Sequence, residues 1–254
     1  MTIANDARPQ ATTLLAAAAV SIALWFIPLA EFLNYPFRLF VTFVHEGGHA
    51  VAALLTGNSV QSLSVAMNGS GETYTTQGGL FSQMLIASAG YLGSMAFGAL
   101  LLVLIREAVA ARIVLAGSAL LVFGLTVIFG LIKPIVAGGA LSGIPFTLVA
   151  GVALSAGLLA LARFAGPRLA AFFVSLLAVQ CVLNALLDLK TVFFLSAPFS
   201  ASAQTDAQNM ANATHVPAIF WTVLWIVIAF GILWFAIRLY AVSRRGGFST
   251  AGCA

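Results

Sequence analysis

Charge is what this sequence has least of. Only 7% of its 254 residues are Asp, Glu, Lys or Arg, against about 25% in a soluble domain. So few charges cannot cover a water-facing surface, which excludes an ordinary soluble globular protein. The cations are mostly arginines spread between apolar runs rather than clustered, a pattern of membrane edges and not of a nucleic-acid patch. Cysteine is almost absent as well. Cys181 and Cys253 stand alone, so there is neither a disulfide framework nor a CxxC metal knuckle.

Apolar sequence fills the space left by charge: 61% of residues are hydrophobic and the mean hydropathy is +1.07. Seven apolar runs, at about 12–33, 37–56, 80–105, 112–132, 144–163, 168–195 and 217–240, each approach the roughly 20 residues that cross a bilayer. The first is too long for a secretory core segment and reads as a retained span. The expected fold is an all-α polytopic membrane protein of about six or seven transmembrane helices. Residues 1–254 form one membrane-embedded domain, placed in a cell membrane, bacterial by expectation.

Two connections are longer than turns. In Asn58 to Gly79, Leu63, Val65 and Met67 alternate with Ser62, Ser64 and Asn68, the period of a strand. Asn68-Gly69 is a turn signal and ETYTT follows it. This predicts an interfacial β-hairpin over 58–79. The second connection, 196–216, is polar and rich in small residues, and predicts a loop with a short helix. Counting spans by alternation puts Arg106, Arg112, Arg163, Arg168, Arg238, Arg244 and Arg245 on one side. The hairpin, the 196–216 loop, Arg8, Lys133 and Lys190 fall on the other. The positive-inside rule assigns the arginine side to the cytoplasm.

The second run contains FVTFVHEGGHAVAALLTG. Ionisable groups inside a membrane segment are costly and mark function. His45 and His49 are four residues apart and share a helical face. HExxH on a helix is a zinc-binding pattern in which both imidazoles bind the metal and the intervening carboxylate, here Glu46, is the general base. The chain has only three histidines, and two of them stand at this spacing around one of its four glutamates.

A catalytic zinc needs a third protein ligand and an open position. The downstream choices are Glu72, Glu107, Asp188, Asp206 and His215. Glu107 ends the third run at the opposite face, and Glu72 reaches the site only if the hairpin folds back. Asp188 closes the sixth run, which crosses in the same direction as the second, and it reaches a depth similar to the histidines. Asn184 lies one turn before it on the same face. Asp188 is therefore the first choice, with Asp206 and His215 as alternatives in the following loop. The stripe Gly90, Ser94 and Gly98 reads as a close helix-packing surface.

HEGGH in an early span, a polar β-rich segment after it, AGYLG opening the next span and NALLD in a late span together resemble the site-2 protease family of intramembrane zinc metallopeptidases. The resemblance implies one Zn²⁺ held by His45, His49 and Asp188, with Glu46 as the catalytic carboxylate. It further implies that Asn184 contacts substrate or supports the site. The implied partners are the lipid bilayer and a membrane-protein substrate whose transmembrane segment unwinds; no nucleic acid is implied. The sequence departs from the family in having Leu189 where a glycine usually follows the aspartate, and in lacking a PDZ-like insertion. The family also places the hairpin on the cytoplasmic side, opposite to the arginine count. Other readings are an inactive relative that binds transmembrane segments, a metal or proton transporter, and a prenyl-protein endopeptidase type. The last uses a downstream ExxxD-like motif that Glu107-Ala-Val-Ala-Ala does not supply.

Overall fold

The computed structural model describes residues 8–27, 31–106, 109–138, 141–196 and 204–241. Glu107, Arg244, Arg245 and Cys253 lie outside them, as does part of the 196–216 loop. Eight helices and one β-hairpin follow in the order α1 (Arg8–Phe26), α2 (Glu31–Leu55), β1 (Val60–Val65), β2 (Gly71–Thr75), α3 (Leu80–Arg106), α4 (Ala111–Ala137), α5 (Ile144–Phe164), α6 (Pro167–Leu195), α7 (Asp206–Thr214) and α8 (Ala218–Ala241). Five of these, α3, α4, α5, α6 and α8, are long and apolar enough to cross a membrane. The first expected run instead divides between α1 and α2. Ile27 precedes a proline in the sequence, and a residue before proline is pushed out of the helical region.

α2 is the central element. Leu39, Phe40, Phe43, Glu46, Gly47, Ala50 and Ala53 form its buried stripe, at the spacing of one helical face. It packs most closely on α3. A Cβ at Gly48 would meet the carbonyl of Ala89, and one at Gly93 would lie 3.5 Å from the Gly48 Cα. Small residues on both helices thus bring the two backbones nearly into contact.

The hairpin folds back along α2 rather than stopping at its end. Tyr35 donates to the Met67 carbonyl at 2.7 Å, Arg38 donates to the Asn68 carbonyl, and Thr42 donates to the Gly69 carbonyl at 2.8 Å. The turn spans Met67 to Gly69. Gly69 has φ +82°, and its N–H bonds to the Ala66 carbonyl at 2.9 Å. A three-residue hairpin loop calls for glycine at this left-handed position.

The two strands have different surroundings. Val60, Leu63 and Val65 of β1 are each 1% exposed. The Val65 N–H, pointing away from β2, donates to Thr147 Oγ1 on α5 at 2.9 Å. Space for β1 comes from a π-helical stretch of α4, Leu125–Ile132, and from Gly130, whose missing Cβ would crowd Thr147. β2 pairs antiparallel with β1 alone in a two-stranded sheet, so no strand among the described residues pairs with its other edge.

Candidate metal centre and active site

His45 and His49 project from one face of α2 because they are one turn apart. Their rings lie 4.9 Å apart at 73°. Asp206, the first residue of α7, meets both: its Oδ2 is 3.3 Å from His45 Nε2 and 3.3 Å from His49 Nε2. Among the described residues these three side chains form the group able to hold a metal ion, with one atom from each within 4.8 Å of the others. Asp188 is not in that group. It lies on α6 near enough to His45 and Arg38 to feel both charges, with its own side chain exposed. His215 is exposed and ends α7 as its left-handed C-cap, at φ 60°. Glu72 hydrogen-bonds Tyr74 at 3.0 Å in the hairpin.

The donor set fits zinc. With metal–ligand distances of about 2.0–2.2 Å and tetrahedral angles, neighbouring ligand atoms sit roughly 3.3–3.5 Å apart, and both observed N–O separations are 3.3 Å. His49 Nδ1 lies 2.7 Å from the Ile86 carbonyl. Donating there, it leaves Nε2 free to ligate, as the outer partner of a metal-bound imidazole does. The space beside the imidazoles is kept open by Gly90 of α3. A Cβ at that position would collide with His45 Nε2 and Cε1 and with His49 Nε2. The packing stripe expected at Gly90, Ser94 and Gly98 therefore begins at the site itself.

α7 delivers its carboxylate through ordinary helix-end chemistry. Thr205 is the N-cap, its Oγ1 accepting from the Gln208 N–H at 3.2 Å. Ala207 and Met210 are buried, three residues apart on one face. Trp221 donates to Thr214 Oγ1 at 3.0 Å and ties the far end of α7 to α8. Burial opposes ionisation of Asp206, but His49 and His45 outweigh it and hold the carboxyl below the usual carboxylate range. The sequence signal for this element is Thr205-Asp206, a capping residue followed by an acid in the first turn.

Glu46 is buried between the histidines and the hairpin, 5% exposed. Its carbonyl accepts from Thr73 Oγ1 at 3.2 Å. A Cβ at Gly71, the first residue of β2, would strike the Glu46 side chain and Thr42. The sheet thus passes directly over the carboxylate. Asn184 is held elsewhere: its Nδ2 donates to the carbonyl and Oε1 of Gln180, at 2.8 and 3.1 Å. Gln180 in turn donates to Asn34 Oδ1 at 2.8 Å. Asn184, Gln180 and Asn34 form a polar ladder joining α6 to α2.

The family description Peptidase M50B-like matches residues 14–236. No curated protein and no solved structure matches the chain. The matched span includes α2, the hairpin, α3 and Asp206, and with five apolar helices the chain is an integral, multi-pass membrane protein. Matched over most of its length, and carrying a buried carboxylate beside three side chains able to hold a metal ion, the chain belongs to the Peptidase M50B-like family.

Proposed function

We propose that this protein is an intramembrane zinc metalloendopeptidase that hydrolyses peptide bonds in or near transmembrane segments of membrane proteins. The observation that carries the reading is the convergence of His45, His49 and Asp206 at zinc-ligand spacing beside buried Glu46. In this reading Asp206 is the third ligand in place of Asp188, which serves as a nearby negative charge. A zinc ion held there would supply Lewis acidity to polarise a peptide carbonyl and acidify water.

Glu46 takes a proton from the attacking water and passes it to the departing amide nitrogen. Water is consumed, the C–N bond breaks, and a carboxyl and an amine are left. The unpaired edge of β2 lies next to Glu46, so an unwound substrate segment joins the sheet there and receives main-chain hydrogen bonds. The outer edge of β1 is already occupied, its Val65 N–H donating to Thr147 Oγ1. Asn184 acts by supporting α6 through its bonds to Gln180.

The test compares membranes from cells carrying the wild-type chain with membranes carrying Glu46→Gln, with new peptide termini mapped by mass spectrometry. Wild type is expected to generate termini within apolar segments that Glu46→Gln does not, while both chains retain about one zinc. Identical termini from a zinc-loaded wild type and from Glu46→Gln would overturn the proposal.

A further inference from the structure

The segment 58–79 carries a single charged residue, Glu72, and the proposed reaction leaves it without a task. Its direction follows from strand alternation along β2. Thr73 turns inward, its Oγ1 donating to the Glu46 carbonyl, and the missing Cβ of Gly71 points at the Glu46 side chain. Glu72 and Tyr74 therefore turn outward, and both are exposed. Ser64 and Ser62 oppose them on β1. Tyr74 donates to Glu72 Oε2 at 3.0 Å, which steers the carboxylate without neutralising it. Among the described residues no lysine or arginine pairs with Glu72.

A charge on an edge strand commonly guards against unwanted pairing. This edge, however, is where the proposed substrate strand joins, so a guard here has to admit one kind of strand. An added strand repeats the alternation of β2, and every second side chain of it stands beside Glu72 and Tyr74 on the outward face. Gly71 lies against Glu46, and Glu72 is one strand step further, about 3.3 Å. The substrate residue beside Glu72 thus falls within about two residues of the bond that Glu46 serves. Opposite charges facing across a sheet attract and like charges repel. A basic side chain there meets an unneutralised carboxylate, and the 55% exposed Tyr74 ring offers a surface for its aliphatic stem. Lysine and arginine are frequent at the ends of transmembrane segments on one membrane face.

We propose that Glu72 is a specificity-determining residue: at the free edge of β2 it selects transmembrane segments that carry a lysine or arginine within about two residues of the cleaved bond. The inference rests on the proposed peptidase activity and on substrate joining β2. The test maps new peptide termini in membranes from cells carrying wild type, Glu72→Gln or Glu72→Lys, with Glu46→Gln as the blank. Glu72→Gln keeps an acceptor for Tyr74 and removes the charge. In wild type, Lys or Arg is expected about 2–5-fold above background at one fixed position beside the cut. That enrichment disappears in Glu72→Gln and passes to Asp or Glu in Glu72→Lys. The same residue preference in all three chains, or no basic preference in wild type, would overturn the inference and leave the peptidase standing. So would an equal loss of cleavage across all sequences with a lower melting temperature of the purified variants, which reduces Glu72 to hairpin support. A wild type that makes no termini beyond those of Glu46→Gln would overturn the peptidase reading and this inference together.

Discussion

α6 and α7 both carry an aspartate toward the histidines, and they do so by opposite means. α6 is a 29-residue spanning helix whose polar residues Gln180, Asn184 and Asp188 recur every four positions. Its stripe is spent largely on α6 itself and on Asn34. α7 has nine residues, and its one acidic group lies 3.3 Å from both imidazoles. The two side chains of the long helix α2 converge because they are one turn apart on one face, whereas the short helix α7 brings its carboxylate to them from its first residue.

The largest effect that would break this comparison is on metal content. Asp206→Ala is expected to fall from about one zinc per chain to nearly none, whereas Asp188→Asn keeps its zinc, both measured by elemental analysis after gel filtration. The reverse result would make α6 the ligand-bearing helix. A second, somewhat smaller effect concerns α3. Gly90→Ala puts a methyl group where the imidazole nitrogens converge, and zinc affinity is expected to fall by more than the roughly 10–100-fold typical of losing an outer partner. The same overlap with His45 and His49 is expected to lower the melting temperature of the metal-free chain, so the affinities are compared at a temperature where both chains are folded. Retained zinc affinity in Gly90→Ala would mean that the ion sits away from α3.

The smallest effect belongs to the ladder on α6. Gln180→Leu removes the bond to Asn34, and an interhelical hydrogen bond in a membrane protein contributes about 0.6–1.7 kcal/mol. The expected outcome is a modest drop in melting temperature with zinc content unchanged. A loss of zinc in Gln180→Leu would show that α6 holds the site after all.

What the sequence made legible was the local part of this arrangement. The i, i+4 spacing of His45 and His49 put them on one face wherever α2 went. Strand alternation from Leu63 to Met67 and the glycine turn marked the hairpin. The apolar runs marked the long helices to within a few residues, apart from the break at Ile27 and the continuation of α4 past its π-helical stretch over Lys133–Ala137. Tertiary docking was not legible. The choice of Asp188 over Asp206 relied on depth, and depth says nothing about a loop helix that returns to the bundle by burying Ala207 and Met210. The return of the hairpin along α2 was hidden for a similar reason, since Arg38 and Tyr35 catch its turn some thirty residues away in sequence.

The close approach of α2 and α3 also bears on how this motif can vary. The two positions inside HEGGH face different neighbours. A side chain at residue 47 would press on the flexible end of Leu125, whereas one at residue 48 would press on the Ala89 main chain. The first obstacle can rotate away, but the second can yield only if α3 retreats and carries Gly90 and Tyr91 with it. In this fold the second central letter of HExxH is as constrained as the histidines. Homologues that keep the helix packing should therefore accept substitutions at 47 long before they accept any at 48.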